Sequence, residues 1–387
     1  MLETLAVANY RSIRELTLPL GALNVIHGPN GSGKSNLYRA LRLLCDVAND
    51  GVVSALAREG GLQSALWAGP ESFSAAMRRG EQAVQGGQRR RPVALRLGIA
   101  TDAFSYAIDL GLPIPGASHF DLDPQIKREA IWHGGTYHPQ RALTERDGAS
   151  VRGRDDEGRW RLLDSRLAPW DSMLSRLADP RVAPEAALLR DELRAWRFYD
   201  HFRCDADAPA RRAQIGVRTP VLAHDGADLA AAWQTIVEIG DPGALSRALG
   251  DAFPGAVVDL HVSDGRFELR MSLPGLLRPL RQAELSDGML RYLLLVTALS
   301  TPRPPPLMIL NEPESSLHPS LLPPLARLMC ELAEHRQIWV VTHSPALLSA
   351  LQDAAPANML PLTKVLGETR LAPEHGSRLP NWRWPAR

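Results

Sequence analysis

The stretch "LNVIHGPNGSGKSNLYRALRLL", residues 23–44, constrains the fold more than any other part of this 387-residue chain. It reads in order as an apolar strand, a glycine-rich loop and a helix, and Gly28, Gly33, Lys34 and Ser35 satisfy the phosphate-loop spacing G-x-x-x-x-G-K-[ST]. The loop formed by Gly28, Pro29, Asn30, Gly31, Ser32 and Gly33 needs glycine because its backbone N–H groups must turn inward around a phosphate. The helix that begins near Lys34 and runs through Ser35 and Asn36 adds the positive end of its dipole. Lys34 then supplies a point charge to the β- and γ-phosphates, and the Ser35 hydroxyl is a ligand for Mg2+. An α/β fold built on a phosphate-binding sheet follows, with kinases, GTPases, helicases and transporter ATPases all still open.

Three later stretches narrow the choice. "ELSDGMLRYLLLVTALS" places Ser286, Asp287 and Gly288 before a strongly apolar helix, and Ser286 and Asp287 are good N-cap types. "LMILNEPESSLHP" is an apolar strand that delivers Asn311 and Glu312 to its C-terminal end, where Asp would ordinarily precede the Glu. "QIWVVTHSPALLSAL" is another apolar strand, ending in Thr342 and His343. Taken singly, each has a plain structural reading: a capped core helix, a buried strand, a satisfied histidine at a strand end.

Their order changes that weighting. Phosphate loop, L-S-D-G helix, acidic strand and strand-terminal His resemble the ABC-type ATPase head, and more closely its RecF-like and SMC-like branch. The N-terminal "NYRSIRELTLPL" and the "NEPESSLHP" ending in His318 and Pro319 look like RecF-like AAA-family ATPases and the ATPase part of OLD-family proteins. The resemblance covers about residues 1 to 70 and 280 to 350. It implies a P-loop NTPase head with an antiparallel β subdomain and an inserted, mostly helical lobe. It also implies ATP and Mg2+ as cofactors: Gly28 to Asn36 would cradle ATP, Glu312 would polarise the attacking water and His343 would contact the γ-phosphate. Ser286 and Gly288 would act in trans on the nucleotide of a second subunit, so a homodimer with ATP at its interface is implied. Asn311 keeps a carbonyl acceptor for a water on Mg2+ but loses the carboxylate charge, so slow hydrolysis is the expectation. Gln63 is a candidate for the glutamine that links Mg2+ to the inserted lobe, with a polar loop residue as the stronger reading of one position. Arg11 in "NYRSI" would approach the nucleotide, or else stand as a surface arginine on an edge strand.

The organisation expected from these motifs is an ATPase core in two parts, residues 1–112 and 281–387, around an inserted lobe at 113–280. "VALRLGIA", "FSYAIDLGLP", "EAIWHG" and "GRWRLL" alternate as strands of one antiparallel sheet. "APEAALLRDELRAWRFYD", "GADLAAAWQTIVEIG" and "DPGALSRALGDAF" have helical periodicity, and "AVVDLHVSDGRFELRMSLPG" reads as a hairpin. No sustained heptad pattern occurs, so the long coiled-coil arm of an SMC protein is not expected.

Partners are less legible. A net charge of +1 gives no global reason to bind nucleic acid. The three lysines against 41 arginines reflect coding bias as readily as anion binding. Arg89, Arg90 and Arg91, near Arg78 and Arg79, read as a solvated loop before they read as a DNA contact. Trp196, Phe198, Tyr199 and Phe202 read as core packing before they read as a base-stacking platform. Cys45, Cys204 and Cys330 have no paired spacing, which fits a reducing cytoplasm and neither zinc nor disulfides. No apolar run approaches the roughly 20 residues of a membrane helix. About forty-four residues follow His343, too few for the nuclease domain that OLD-family proteins carry there. Three functions remain in play. The first is an ATPase that clamps DNA in repair or recombination. The second is a nucleotide-gated switch controlling a separate effector in a defence module. The third is a transporter ATPase, which the LSDG wording and the inserted lobe oppose.

Overall fold

The computed structural model describes residues 1–86, 93–114, 116, 119–177, 179–200, 202–372 and 379–386. Arg89, Arg90 and Arg91 lie outside them. The chain divides into two compact units, one of Met1–Leu20, His27–Ala195 and Leu360–Arg387, the other of Gly21–Ile26 and Trp196–Met359.

The first unit is organised by an eight-stranded antiparallel sheet. Its members are β1 (Leu2–Tyr10), β2 (Ile13–Pro19), β4 (Leu95–Thr101), β5 (Ser105–Gly111), β6 (Gln125–Trp132), β7 (Ala142–Asp147), β8 (Ser150–Arg154) and β9 (Trp160–Asp164), in the order β2-β1-β4-β5-β6-β7-β8-β9. All four strands expected between residues 93 and 164 are present. They continue the sheet that β1 begins, so residue 112 falls within one hydrogen-bonded layer: β5 pairs with β6 across it, from Ser105↔Trp132 to Gly111↔Gln125. Two helices pack in this unit, α1 (Lys34–Ala48) and α6 (Pro184–Ala195), with the short helices α2 (Val52–Arg58), α3 (Leu62–Ala65), α4 (Ala75–Arg79) and α5 (Met173–Arg176). α1 buries Leu37, Leu41, Leu44 and Ala48, an i, i+4, i+7, i+11 stripe. Deeper in the sheet, the wholly buried pair Arg146–Glu129 is tied at 3.0 Å, and Tyr106, Ser172 and the Met173 N–H also donate to the Glu129 carboxylate. A buried ion pair persists when every oxygen is bonded in this way.

The second unit is parallel α/β. β10 (Arg197–Tyr199), β15 (Leu307–Asn311) and β16 (Gln337–Thr342) lie side by side, and the opening residues of β3 (Leu23–His27) and β17 (Asn358–Val365) extend this sheet beyond β16. Both of these strands then run on into the other unit. β15 and β16 read as continuous apolar runs because both faces are covered. The covering helices are α7 (Leu229–Ile239), α8 (Pro242–Ala252), α9 (Asp287–Leu299), α10 (Leu322–Ala333) and α11 (Pro345–Ala354). From α9, Leu290, Leu293, Leu294 and Val296 enter a core that also takes Leu310, Leu325 and Val340. Each such side chain contributes roughly 1.5–3 kcal/mol on burial. A small antiparallel sheet, β11 (Gln214–Ile215), β12 (Val257–Ser263), β13 (Arg266–Ser272) and β14 (Leu280–Arg281), contains the expected hairpin as β12–β13. The last strand, β18 (Glu368–Leu371), pairs with β17 in the first unit.

One expectation is corrected here. The helix read through "RAWRFYD" ends at Ala195, and Arg197–Tyr199 is instead a parallel strand whose Tyr199 pairs with Leu310. The four aromatics of this stretch are buried, as the packing reading requires, but from a strand and its flanks. Aromatic residues fit a pleated, covered surface well enough to override a weak helical period.

Candidate functional site

The residues expected to carry the chemistry fall into two groups, one in each unit. In the first, β3 feeds the phosphate loop directly. Gly28, Gly31 and Gly33 have φ of 148°, 79° and 107°, the left-handed region that the inward turn demands. A Cβ on Gly28 would collide with the Leu362 carbonyl of β17, and one on Gly33 with the Thr369 side chain of β18. Lys34 is buried, and its ammonium donates to the carbonyls of Gly28 at 2.7 Å and Pro29 at 3.2 Å, which holds a positive charge inside the loop. That charge and burial push the His27 imidazole below its ordinary range, burial being the larger cause. α1 starts at Lys34 with no side-chain cap on its N-terminus and no acid in its first turn. Its orphan N–H groups and dipole are therefore not offset by a carboxylate of the first turn.

The loop is braced by residues that no local sequence signal marks. Asn36 Nδ2 donates to Ser12 Oγ at 2.7 Å, and Ser12 Oγ lies 2.7 Å from Thr369 Oγ1. Thr369 Oγ1 in turn donates to the Ser32 carbonyl at 2.8 Å. Ser12 sits in the β1–β2 turn and Thr369 on β18, more than three hundred residues apart. Only the fold shows that they serve the same loop. Arg11 occupies that turn too, at φ 50°, and donates twice to Glu59 Oε2, at 3.1 and 2.8 Å. Tyr10 OH reaches the same carboxylate at 2.8 Å. Gln63 stands on α3 and lines a cavity of about 920 Å³ together with Trp67, Leu112 and Lys127.

The residues present fit a nucleoside polyphosphate: a glycine cradle closed to a Cβ at Gly28 and Gly33, a buried ammonium, and an uncapped helix N-terminus. Among the described residues no cluster of three or more His, Cys, Asp or Glu is arranged to hold a metal. In the first unit the Ser35 hydroxyl is a weak ligand by itself, which suits Mg2+ arriving with phosphate oxygens.

The second group forms at the ends of β15 and β16. Asn311 pairs in register with Val341, and Glu312 follows in the left-handed region at φ 47°, uncommon for a residue with a side chain. Its backbone is held on both sides. The Glu312 N–H donates to Val341 O at 2.8 Å, and its carbonyl accepts from Ser315 N at 3.1 Å and Arg291 Nη2 at 3.0 Å. Strain of this kind persists only where the surroundings fix it. The result places Glu312 Oε1 3.1 Å from His343 Nδ1. Glu314 joins them, accepting from the Thr342 hydroxyl at 2.5 Å.

The L-S-D-G element is on the same unit. Ser286 caps α9, accepting from Met289 N at 3.3 Å, and Ser286 and Asp287 are exposed. A Cβ on Gly288 would lie 3.0 Å from the Ser316 carbonyl, so this glycine packs against the turn that follows Glu312. Arg211 clasps the approach to the helix, donating to the carbonyls of Ala283 (3.0 Å) and Leu285 (2.6 Å) and to Asp287 Oδ1 (2.7 Å). Arg291, in the second turn of α9, donates to Phe202 O at 3.3 Å as well as to Glu312 O. Burial pulls its guanidinium below the usual range, opposed by the nearby Cys204, Glu314 and Glu312. Asp200, one residue beyond β10 on the strand next to β15, is pushed up to about 6 by burial. The helical reading of its segment concealed it.

Residues 23–349 match the sequence profile of the family described as "AAA domain, putative AbiEii toxin, Type IV TA system". The chain belongs to this AAA-domain family. A segment of 44 residues is 48% identical to an OLD nuclease of Thermus scotoductus, covering 11% of this chain and 8% of that protein. Among solved structures, an SMC head bound to the C-terminal winged-helix domain of ScpA is similar over 96% of each chain, with 16% identity and a TM-score of 0.50. An SMC head domain from Thermotoga maritima is similar over 96% of this chain and 98% of that one, with 16% identity and a TM-score of 0.46. This AAA-domain protein thus has a fold like that of an SMC head, with mixed α/β content and a large antiparallel sheet. No helix among the described residues is long and apolar enough to cross a membrane.

Proposed function

We propose that the protein binds ATP, hydrolyses it slowly, dimerises around two ATP molecules and acts on DNA in repair or recombination. The observation that carries the hydrolytic part is the Glu312–His343 pair, 3.1 Å apart on a backbone held in the left-handed region. In this reading Gly28 to Asn36 hold the triphosphate through backbone N–H groups, and Lys34 offsets its charge. Ser35 and Gln63 hold Mg2+, with Asn311 acting through a water; the ion, when bound, neutralises charge on the phosphoryl oxygens. Glu312 orients the attacking water and His343 contacts the γ-phosphate. Asn311 lacks the charge of an Asp, which makes turnover slow by loosening the metal.

Exposure of Ser286 at the N-terminus of the 13-residue α9 supports its action, with Gly288, on a nucleotide held by a second copy. Arg11 would reach the nucleotide only by releasing Glu59. Segments 1–112 and 281–387 carry the motifs assigned to the nucleotide, and the cytoplasm is the compartment. The short similarity to an OLD nuclease favours DNA as partner. A second reading, a nucleotide-gated switch controlling a separate effector in a defence module, is favoured by the toxin–antitoxin wording of the family's description.

The test is ATP turnover by purified protein with and without duplex and single-stranded DNA, with Glu312→Gln as background. Turnover that disappears in Glu312→Gln and rises with DNA is the expected result. Turnover equal to that of Glu312→Gln under every condition refutes autonomous hydrolysis and leaves the switch reading.

A further inference from the structure

Glu314 has no part in the reading above, yet it is the most enclosed acid of its motif, with a side chain 8% exposed against 42% for Glu312. Its Oε1 accepts from the Thr342 hydroxyl at 2.5 Å and from the His343 N–H at 3.4 Å, and lies 3.8 Å from His343 Nδ1. One carboxylate oxygen therefore bridges the turn after β15 to the last residue of β16 and the first beyond it. Its other oxygen, Oε2, is buried with no hydrogen-bond partner. Leaving a carboxylate oxygen unpaired in the interior is unfavourable, so the contacts of Oε1 must offset that cost.

Those contacts act on one thing. With its own N–H and the preceding hydroxyl both tied to Glu314, His343 has little freedom about its link to β16. Its Nδ1 is kept between two carboxylates, 3.1 Å from Glu312 and 3.8 Å from Glu314. Thr342 Oγ1 also accepts from Ser344 N at 3.0 Å, so the same hydroxyl ties the tether to the start of α11. We infer that Glu314 is a positioning residue: it fixes His343 against Glu312 before any nucleotide arrives. This rests on the assignment of Glu312 and His343 to ATP hydrolysis. Preorganisation of this kind removes reorganisation from the chemical step and appears in kcat rather than in substrate binding.

The experiment is a double-mutant cycle in the full chain with Glu314→Ala, His343→Gln and the combined variant. It reads kcat and KM for ATP and, independently of turnover, the imidazole 15N resonances of His343, assigned by their loss in His343→Gln. Glu314→Ala should lower kcat by about 10- to 100-fold at little changed KM, the effect of losing a charge-assisted hydrogen-bond anchor. It should have no further effect in the His343→Gln background, and it should shift the His343 resonances. An equal fall in kcat in both backgrounds overturns the inference, as does a raised KM at unchanged kcat. If the wild-type protein hydrolyses no ATP, the functional reading fails by itself, and unshifted His343 resonances in Glu314→Ala then overturn the positioning role. Should Glu314→Ala fail to fold, Thr342→Val removes one of the two tethers and replaces it in the same cycle, with the same outcomes read.

Discussion

Replacing Arg291 by Met tests whether α9 holds the Glu312 turn. The side chain is 2% exposed, and its guanidinium satisfies two carbonyls of different segments, Phe202 O at 3.3 Å and Glu312 O at 3.0 Å. Met preserves most of the aliphatic stem and its packing, so the change isolates the polar head. Each buried acceptor left without its donor costs about 1–3 kcal/mol. Removing a guanidinium that burial already disfavours returns part of that sum, and Glu312 O keeps its bond from Ser315 N. The expected loss is thus about 2–4 kcal/mol, read from the urea midpoint at an unchanged m-value. Glu312 should also relax from its left-handed backbone, lowering kcat for ATP while nucleotide affinity, which belongs to the phosphate loop, stays near wild type. A loss below about 1 kcal/mol, with kcat unchanged, would refute the claim that α9 holds this turn.

Two further outcomes follow from the same geometry. Thr369→Val removes the hydroxyl that donates to Ser32 O and meets Ser12. It should weaken binding of a fluorescent ATP analogue by about 5- to 20-fold, as expected for a lost brace of about 1–2 kcal/mol, and equal affinity would show that the loop needs no support from β18. Asp200 has its folded pKa raised to about 6 from 3.8. The folded state therefore holds this proton more tightly than the unfolded chain, and the associated stability is full below about pH 4 and lost as pH rises toward 6. Because the carboxyl is partly exposed, Asp200→Asn should gain only about 1–2 kcal/mol on wild type between pH 4 and pH 6.5, measured by urea denaturation at each pH. A constant difference between the two proteins would show that burial does not control this group.

What could be read from the sequence was local, and what could not was assembled. Gly28 to Ser35 announce their geometry because the spacing of glycines around a lysine has one physical use, and the positive φ of Gly28, Gly31 and Gly33 follows from it. The continuous apolar runs of β15 and β16 were legible for the same reason: strands covered on both faces have no polar alternation to hide them. The strand at Arg197–Tyr199 was missed because three residues carry too little pattern to outweigh the helix before them; its partner, β15, lies over one hundred residues away. Ser12, Thr369 and Arg211 were missed because nothing near them in the chain marks them. Each acts through a backbone carbonyl or hydroxyl of a distant segment, and carbonyls leave no trace in a sequence.

Asn311 shows where the two kinds of information meet. Read as a letter, it is a defect in a motif whose preceding acid normally carries charge. In the fold, Asn311 occupies the last register position of β15, opposite Val341, and the next residue is the one held by three backbone bonds at φ 47°. The restraint on Glu312 does not pass through the side chain at position 311. Under the proposed function the asparagine therefore bears on how firmly a metal is held, while the conformation of Glu312 is set by Val341, Ser315 and Arg291.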